Sequence, residues 1–433
     1  MIKIVKLSLV TAITLASTVY ASSSGKDIPS IREKTEAIKA PLTKKSNVVN
    51  SLKSMFEEAK GSGNIRSMYS GYNNDNAKNT YATAIGGQLK YKLAKYKGFN
   101  AGVAFTTAND VNFATGDKDD GKRNDALAST KGSYTEATEA YINYEFQGLN
   151  LRVGRQLIDT PLADSDDIRV TPDTFEAYIA TYETDGFFLM AGHLNQWQGY
   201  DAGLDDHWVK TGKDGVNFGG VTYANDFVKT SAWYYNITGS DNGNNAIYID
   251  AIGNYTFSDV ELHAGVQYLN ESEVDNSGVK ASIYGALAEV ATNGLDFTLA
   301  YNKSSKEKGK TSFSGYGGGT LYTNMDNMIL DNITEDRDAQ TIVSGISYEL
   351  GATTLLYAYG DFQGDANSAG VKAHIAEQNI AAKYSFSDDL SVNAIYIIDD
   401  NKDDTTSRCF NDKNLMVFVY KCFSINNPNF SNK

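Results

Sequence analysis

The sequence is poor in the features that mark a disulfide-stapled, metal-holding or helical-membrane protein. It has two cysteines in 433 residues, Cys409 and Cys422, too few for the framework that small secreted domains need. With Cys409 in a loop and Cys422 near the far end of the next strand, a rise of ~3.3 Å per residue keeps them too far apart to bridge. The four histidines, His193, His207, His263 and His374, show no metal-ligand spacing, and no metal or cofactor is implied. Five prolines, at 29, 41, 161, 172 and 428, all fall outside the stretches that alternate like strands. Beyond the N-terminus no run approaches the ~20 apolar residues of a spanning helix. A mean hydropathy of -0.38 argues the same way. Cations are in the minority, 39 against 53 acidic residues for a net charge of -14, so nucleic acid is not an expected partner. A membrane β-barrel survives all of these absences, because its polar lumen hides the lipid-facing half of each strand from hydropathy averages.

What is abundant supports a barrel. There are 28 Tyr, 19 Phe and 38 Gly, and strands favour aromatic residues. Residues 1–21 read as a secretory signal: Lys3 and Lys6, an apolar run from Leu7 to Leu15, then Val19-Tyr20-Ala21 as the cleavage site. Residues 22–62 read as a polar, partly helical periplasmic lead-in, 63–423 as the barrel and 424–433 as an atypical tail. Connections alternate between short and long. Short ones fall near 95–98, 147–148, 184–185, 225–226, 258–259, 293–294, 351–352 and 387–389. Longer polar segments lie between them, including 109–133, 156–174, 303–337 and 399–414. Counting strands around them predicts an all-β, transmembrane antiparallel barrel of about eighteen strands, with short periplasmic turns and long external loops. Tyr91, Tyr144, Tyr182, Tyr223, Tyr255, Tyr348 and Tyr384 close strands at the short turns, as a periplasmic aromatic girdle would.

The central stretch is Leu149–Tyr178. Leu149, Leu151 and Val153 alternate with Asn150, Arg152 and Gly154, giving one apolar and one polar face. A charged loop pinned by Pro161 and Pro172 follows, and in a barrel such a loop can fold inward and narrow the pore.

In its motifs SLKSMFEEAKGSGNIRSMY, GRQLIDTPLADSDDIRVTPDTFEAY, AGHLNQWQGYDAG and SGYGGGTLYTNMDNMILDN, the chain resembles the OprD-type family of outer-membrane porins, in the form seen in epsilonproteobacteria. The resemblance covers most of the mature chain. It implies an eighteen-stranded barrel, trimeric or monomeric, that passes small solutes often bearing a carboxylate, with an inward-folded loop and a ladder of basic lumenal residues. The C-terminus departs from the pattern: such barrels end on an aromatic residue read by the assembly machinery, whereas here Leu415–Phe423 is followed by SINNPNFSNK.

Parity along the strands puts Gln88, Lys90, Lys92, Arg152 and Lys383 on the lumen side, with Arg66 a weaker candidate. The expected constriction is a basic wall of Arg152, Arg169, Lys90 and Lys92 facing Asp164, Asp166 and Asp167 on the loop. Arg155 joins this set only if Gly154 marks a bulge. The plainer alternative is a set of ordinary water-exposed barrel charges. Asp117, Asp119, Asp120 and Asp399, Asp400, Asp403, Asp404 read as solvated external loops near lipopolysaccharide, and GGGT at Gly317 as a flexible or tightly turned loop. The expected function is passive diffusion of small hydrophilic solutes and ions. A plugged structural or adhesive barrel is the competing class, and a barrel hydrolase a weaker third; no nucleophile signature supports catalysis.

Overall fold

Strand-forming segments of alternating polarity, joined by short turns, close on themselves into one antiparallel sheet of eighteen long strands. The computed structural model describes residues 48–73, 77–128, 130–167, 169–203, 208–306, 309–317, 319–402 and 413–425. The expected signal at 1–21, the lead-in up to residue 47, the tail from 426, Asp403, Asp404, Cys409 and His207 lie outside the described residues.

A short helix, α1 (Leu52–Glu57), precedes the barrel. The first six strands are β1 (Lys60–Asn73), β2 (Thr80–Lys92), β3 (Phe99–Asp110), β4 (Ser133–Phe146), β5 (Leu149–Gln156) and β6 (Thr174–Thr184). Next come β7 (Phe187–Gln198), β8 (Val216–Ala224), β9 (Val228–Ile237), β10 (Asn244–Phe257), β11 (Val260–Glu273) and β12 (Ala281–Thr292). The last six are β13 (Leu295–Lys306), β14 (Ala339–Leu350), β15 (Thr353–Gly364), β16 (Ala373–Ser387), β17 (Leu390–Asn401) and β18 (Lys413–Ile425). Each strand pairs with the next, and β18 returns to β1 from Gly61 opposite Ile425 to Asn73 opposite Lys413. Closure leaves no open edge, the condition for a sheet to sit in hydrocarbon.

The turn chemistry explains the tight ends. Gln147-Gly148, Asp185-Gly186 and Asn293-Gly294 have positive φ at both positions, the conformation whose twist suits a two-residue hairpin. Above these turns the outer face is apolar: Leu89 is 52 % and Tyr91 43 % exposed, whereas Lys90 between them is buried. Rings meet across strands at this end, Phe99 with Tyr144 at 4.6 Å and Phe187 with Tyr223 at 4.8 Å.

The lumen is filled towards its extracellular end by three loops. Ile158, Leu162 and Ala163 of the β5–β6 loop pack with Tyr316, Leu321, Tyr322, Met325, Met328, Leu330 and Ile333 of the β13–β14 loop. Both press on inward residues of β6 to β16, among them Phe175, Phe218, Tyr235, Tyr248, Ile283 and Phe362. β9 and β12 accordingly carry apolar residues on both faces, one meeting lipid and the other the folded loops. The β3–β4 loop contributes Leu127 and Ala128, which pack with Val170, Met68 and Ala84.

The β13–β14 segment corrects one expectation. It is an internal element rather than an external loop, because its apolar side chains need burial that the surface does not offer. Gly317, with φ +88°, makes it tightly turned: a Cβ there would strike the Asp164 carbonyl. Asp399 and Asp400 are likewise the end of β17 rather than loop.

Candidate functional site

The β5–β6 loop is positioned by main-chain bonds first. The amide of Asp164 donates to the Tyr316 carbonyl at 2.9 Å, and the Tyr316 amide donates to the Leu162 carbonyl at 3.0 Å. The two long loops thus share a short ladder inside the barrel, Ala163 opposite Tyr316. The Asp173 amide donates to the Asp166 carbonyl at 2.9 Å, folding the loop back on itself. Burial, with Asp201 and Asp166 adding repulsion, pushes the Asp173 carboxyl well above the usual carboxylate range.

The expected basic wall does not form as one unit. Arg169 lies on the same loop as the three aspartates, buried, its guanidinium 4.3 Å from the ring centre of Tyr200. The strand cation that reaches this loop is Arg66 on β1: its guanidinium donates to both Asp167 carboxylate oxygens, at 2.5 and 2.6 Å, and to the Arg169 carbonyl at 2.7 Å. Its other side covers the Tyr420 ring at 5.0 Å. Lys90 donates to both oxygens of Glu139 at 2.8 Å and is locally neutralised.

Lys92 and Arg152 differ from these. Lys92 shares the lumenal face of β2 with Lys90 and is half-buried. Arg152 lies over the Tyr141 ring at 4.5 Å and donates to Asn143 at 3.2 Å. Among the described residues neither holds an ion pair, and Lys92 feels the charges of Glu145 and Glu139 as well as those of Arg152 and Lys90. Lys383 follows Asn379 and Ala381 on the lumenal face of β16, opposite Asn393.

Arg155 lies elsewhere. The β5–β6 register has no shift at Gly154, so Arg155 shares the outward face of Val153 and Tyr178. There it covers the Trp208 ring at 4.4 Å, beside Glu176 at 3.9 Å.

The acidic groups that face the basic strands come from the opposite wall. Asp250 on β10, Glu261 and Glu271 on β11, Glu289 on β12 and Asp296 on β13 all point inward and are buried. In a ring of eighteen strands, β2 stands diametrically across from β11. The polar face Glu261-His263-Gln267 and the Asp296-Thr298-Asn302 face were readable from parity; counting round the ring would have set them opposite Lys92. Further up, Glu377 on β16 accepts from the amides of Asp326 at 3.1 Å, Asn327 at 3.3 Å and Met328 at 2.6 Å, and fastens the β13–β14 loop to the wall.

A family model described as outer membrane porin, OprD family, matches residues 56–335. No curated protein is matched at a significant level. Among solved structures, OpdK of Pseudomonas aeruginosa with vanillate superposes with a TM-score of 0.72 at 17 % identity, covering 86 % of this chain and 100 % of that one. OccAB4 of Acinetobacter baumannii gives 0.72 at 16 %, covering 85 % and 98 %. OccAB3 of the same organism gives 0.73 at 13 %, covering 85 % and 100 %. These likenesses show the fold, and the match over residues 56–335 supplies the family. The closed barrel with its charged lumen is a passive channel in the bacterial outer membrane, and the chain belongs to the OprD family of outer-membrane porins.

Proposed function

We propose that the channel favours small solutes bearing a carboxylate, such as organic acids or amino acids, and that Lys92 and Arg152 carry this preference. The observation behind the reading is that, among the described residues, these two lumenal cations hold no ion pair while the far wall is acidic. Opposite charges across a narrow, partly desolvated passage set up a transverse field, which aligns a polar solute and strips its hydration stepwise. Asp164, Asp166, Asp167 and Arg169 act through the loop that narrows the passage, Lys90 through its pair with Glu139, and Lys383 on the lumenal wall towards the periplasmic end. OpdK has been solved with vanillate, a carboxylate, which is consistent with this class. The reading involves no turnover chemistry. It includes insertion by the barrel assembly machinery, contact with lipopolysaccharide, and the trimeric or monomeric epsilonproteobacterial form that the quoted motifs resemble.

Swelling of protein-loaded liposomes tests the solute class. Entry of a monocarboxylate should exceed that of its neutral amide of equal size, and Lys92→Gln with Arg152→Gln should remove the difference. Equal entry before substitution would sink the proposal.

A further inference from the structure

A six-residue helix has little stability of its own, so α1 exists because it is docked. Ser51 caps it, its Oγ accepting from the Ser54 amide at 3.0 Å. Three ties hold the segment to the end of β2 and the turn that follows it. Val48 and Val49 pair with Lys95 and Tyr96, the Ala94 amide donates to the Met55 carbonyl at 3.1 Å, and the Tyr91 hydroxyl donates to the Phe56 carbonyl at 3.3 Å. One face is thereby buried, Met55 and Val49 against Ala94.

The other face is apolar and uncovered. Leu52 and Phe56, one turn apart, are 63 % and 60 % exposed, and Val48 is 71 % exposed. The position of this face decides what covers it. Tyr91, which ties the helix, belongs to the outward row of β2 with Leu89, and Phe99, Tyr144 and Phe146 continue the lipid-facing belt at the same end. The exposed face of α1 is therefore continuous with the surface that meets hydrocarbon, at the level where aromatic rings mark the membrane boundary.

We propose that α1 is a membrane-interface anchor: Leu52 and Phe56 enter the periplasmic leaflet at the boundary between headgroups and acyl chains, while Lys53 stays at the headgroups. Such shallow insertion is what an amphipathic helix with a compact apolar face does, and the three ties fix its depth. The anchor would hold the chain entering β1 to the membrane plane, clear of the periplasmic mouth of the pore. This is independent of which solute the channel passes.

The test uses the full chain in phosphatidylcholine vesicles, with Phe56→Trp, Leu52→Trp and Lys53→Trp compared one at a time with the unsubstituted protein. That protein supplies the baseline of three native tryptophans. The added emission at positions 52 and 56 should fall at least about twofold when the lipid is brominated near the top of its acyl chains, and resist aqueous iodide. Position 53 should show the reverse. Emission from 52 and 56 that iodide quenches and brominated lipid does not would overturn the proposal. So would shielding from both, which would mean that a protein segment or a second copy covers this face. All three positions are exposed, and heat-modifiable mobility confirms folding of each variant before it is scored.

Discussion

Arg66 and Asp167, 101 residues apart in the chain, meet as a bidentate buried pair that fastens the β5–β6 loop across the lumen to β1. Removing one partner of such a pair takes a bidentate counter-charge from the other in a poor solvent, at a cost of about 3–5 kcal/mol. Arg66→Met should therefore detach the loop while leaving the barrel closed, seen as larger or flickering single-channel current. Arg66→Met with Asp167→Leu, which removes both charges together, should be quieter than the single variant. Steady wild-type current from Arg66→Met would show that the loop is held in place without this pair.

Glu377 holds the second loop in a different way, as one carboxylate accepting from three consecutive amides. Glu377→Ala leaves those donors buried without an acceptor, at about 1–3 kcal/mol for each group left unsatisfied. Glu377→Gln keeps one acceptor oxygen and should cost less. Amide exchange over residues 309–338 should quicken in the order wild type, Gln, Ala. Equal rates in all three would remove Glu377 from the account.

Asp331 should make this loop respond to pH. It is buried in the β13–β14 connection, and burial raises its carboxyl above the ordinary value of 3.8 despite hydrogen bonds from Ser312 and Ser314. A carboxyl with a raised folded-state pKa contributes most stability when protonated in both states. That contribution is lost as pH climbs from 3.8 through the raised value. Exchange in 309–338, corrected for intrinsic rates, should slow on acidification across that window. Asp331→Asn should flatten the trend, and a wild-type loop that loosens on acidification would contradict it.

The loop junction depends on Gly317. Its positive φ and the closeness of the Asp164 carbonyl leave no room for a side chain. Gly317→Ala should break the short ladder at Tyr316 and raise current noise much as Arg66→Met does. Unaltered conductance from a folded Gly317→Ala protein would argue that the two long loops are not coupled.

Much of the barrel was legible in the sequence because strand parity and turn residues are local signals. Leu89 and Tyr91 against Lys90 and Lys92 needs only a period of two, and Asp185-Gly186 needs only its own backbone. The loop carrying Leu321, Met325, Met328 and Ile333 was not legible in the same way. Its burial depends on inward faces contributed by eleven strands, β6 to β16, and no local pattern records that a lumen will be apolar. The same non-locality hid the partner of Arg66. Arg155 was a matter of register: Gly154 has an unusual φ but inserts no extra residue, so the side chain stays on the outer face. The acidic far wall lay in between, readable strand by strand but opposite Lys92 only once the ring is closed.

The central claim is that this is an open channel whose selectivity is governed by Lys92 and Arg152. Purified protein in a planar bilayer, recorded as single-channel current across a salt gradient, tests it most directly. The account predicts discrete open steps, with a reversal potential that moves towards cation preference in Lys92→Gln with Arg152→Gln. Silence from folded, heat-modifiable protein, or a reversal potential unmoved by the double substitution, would contradict it.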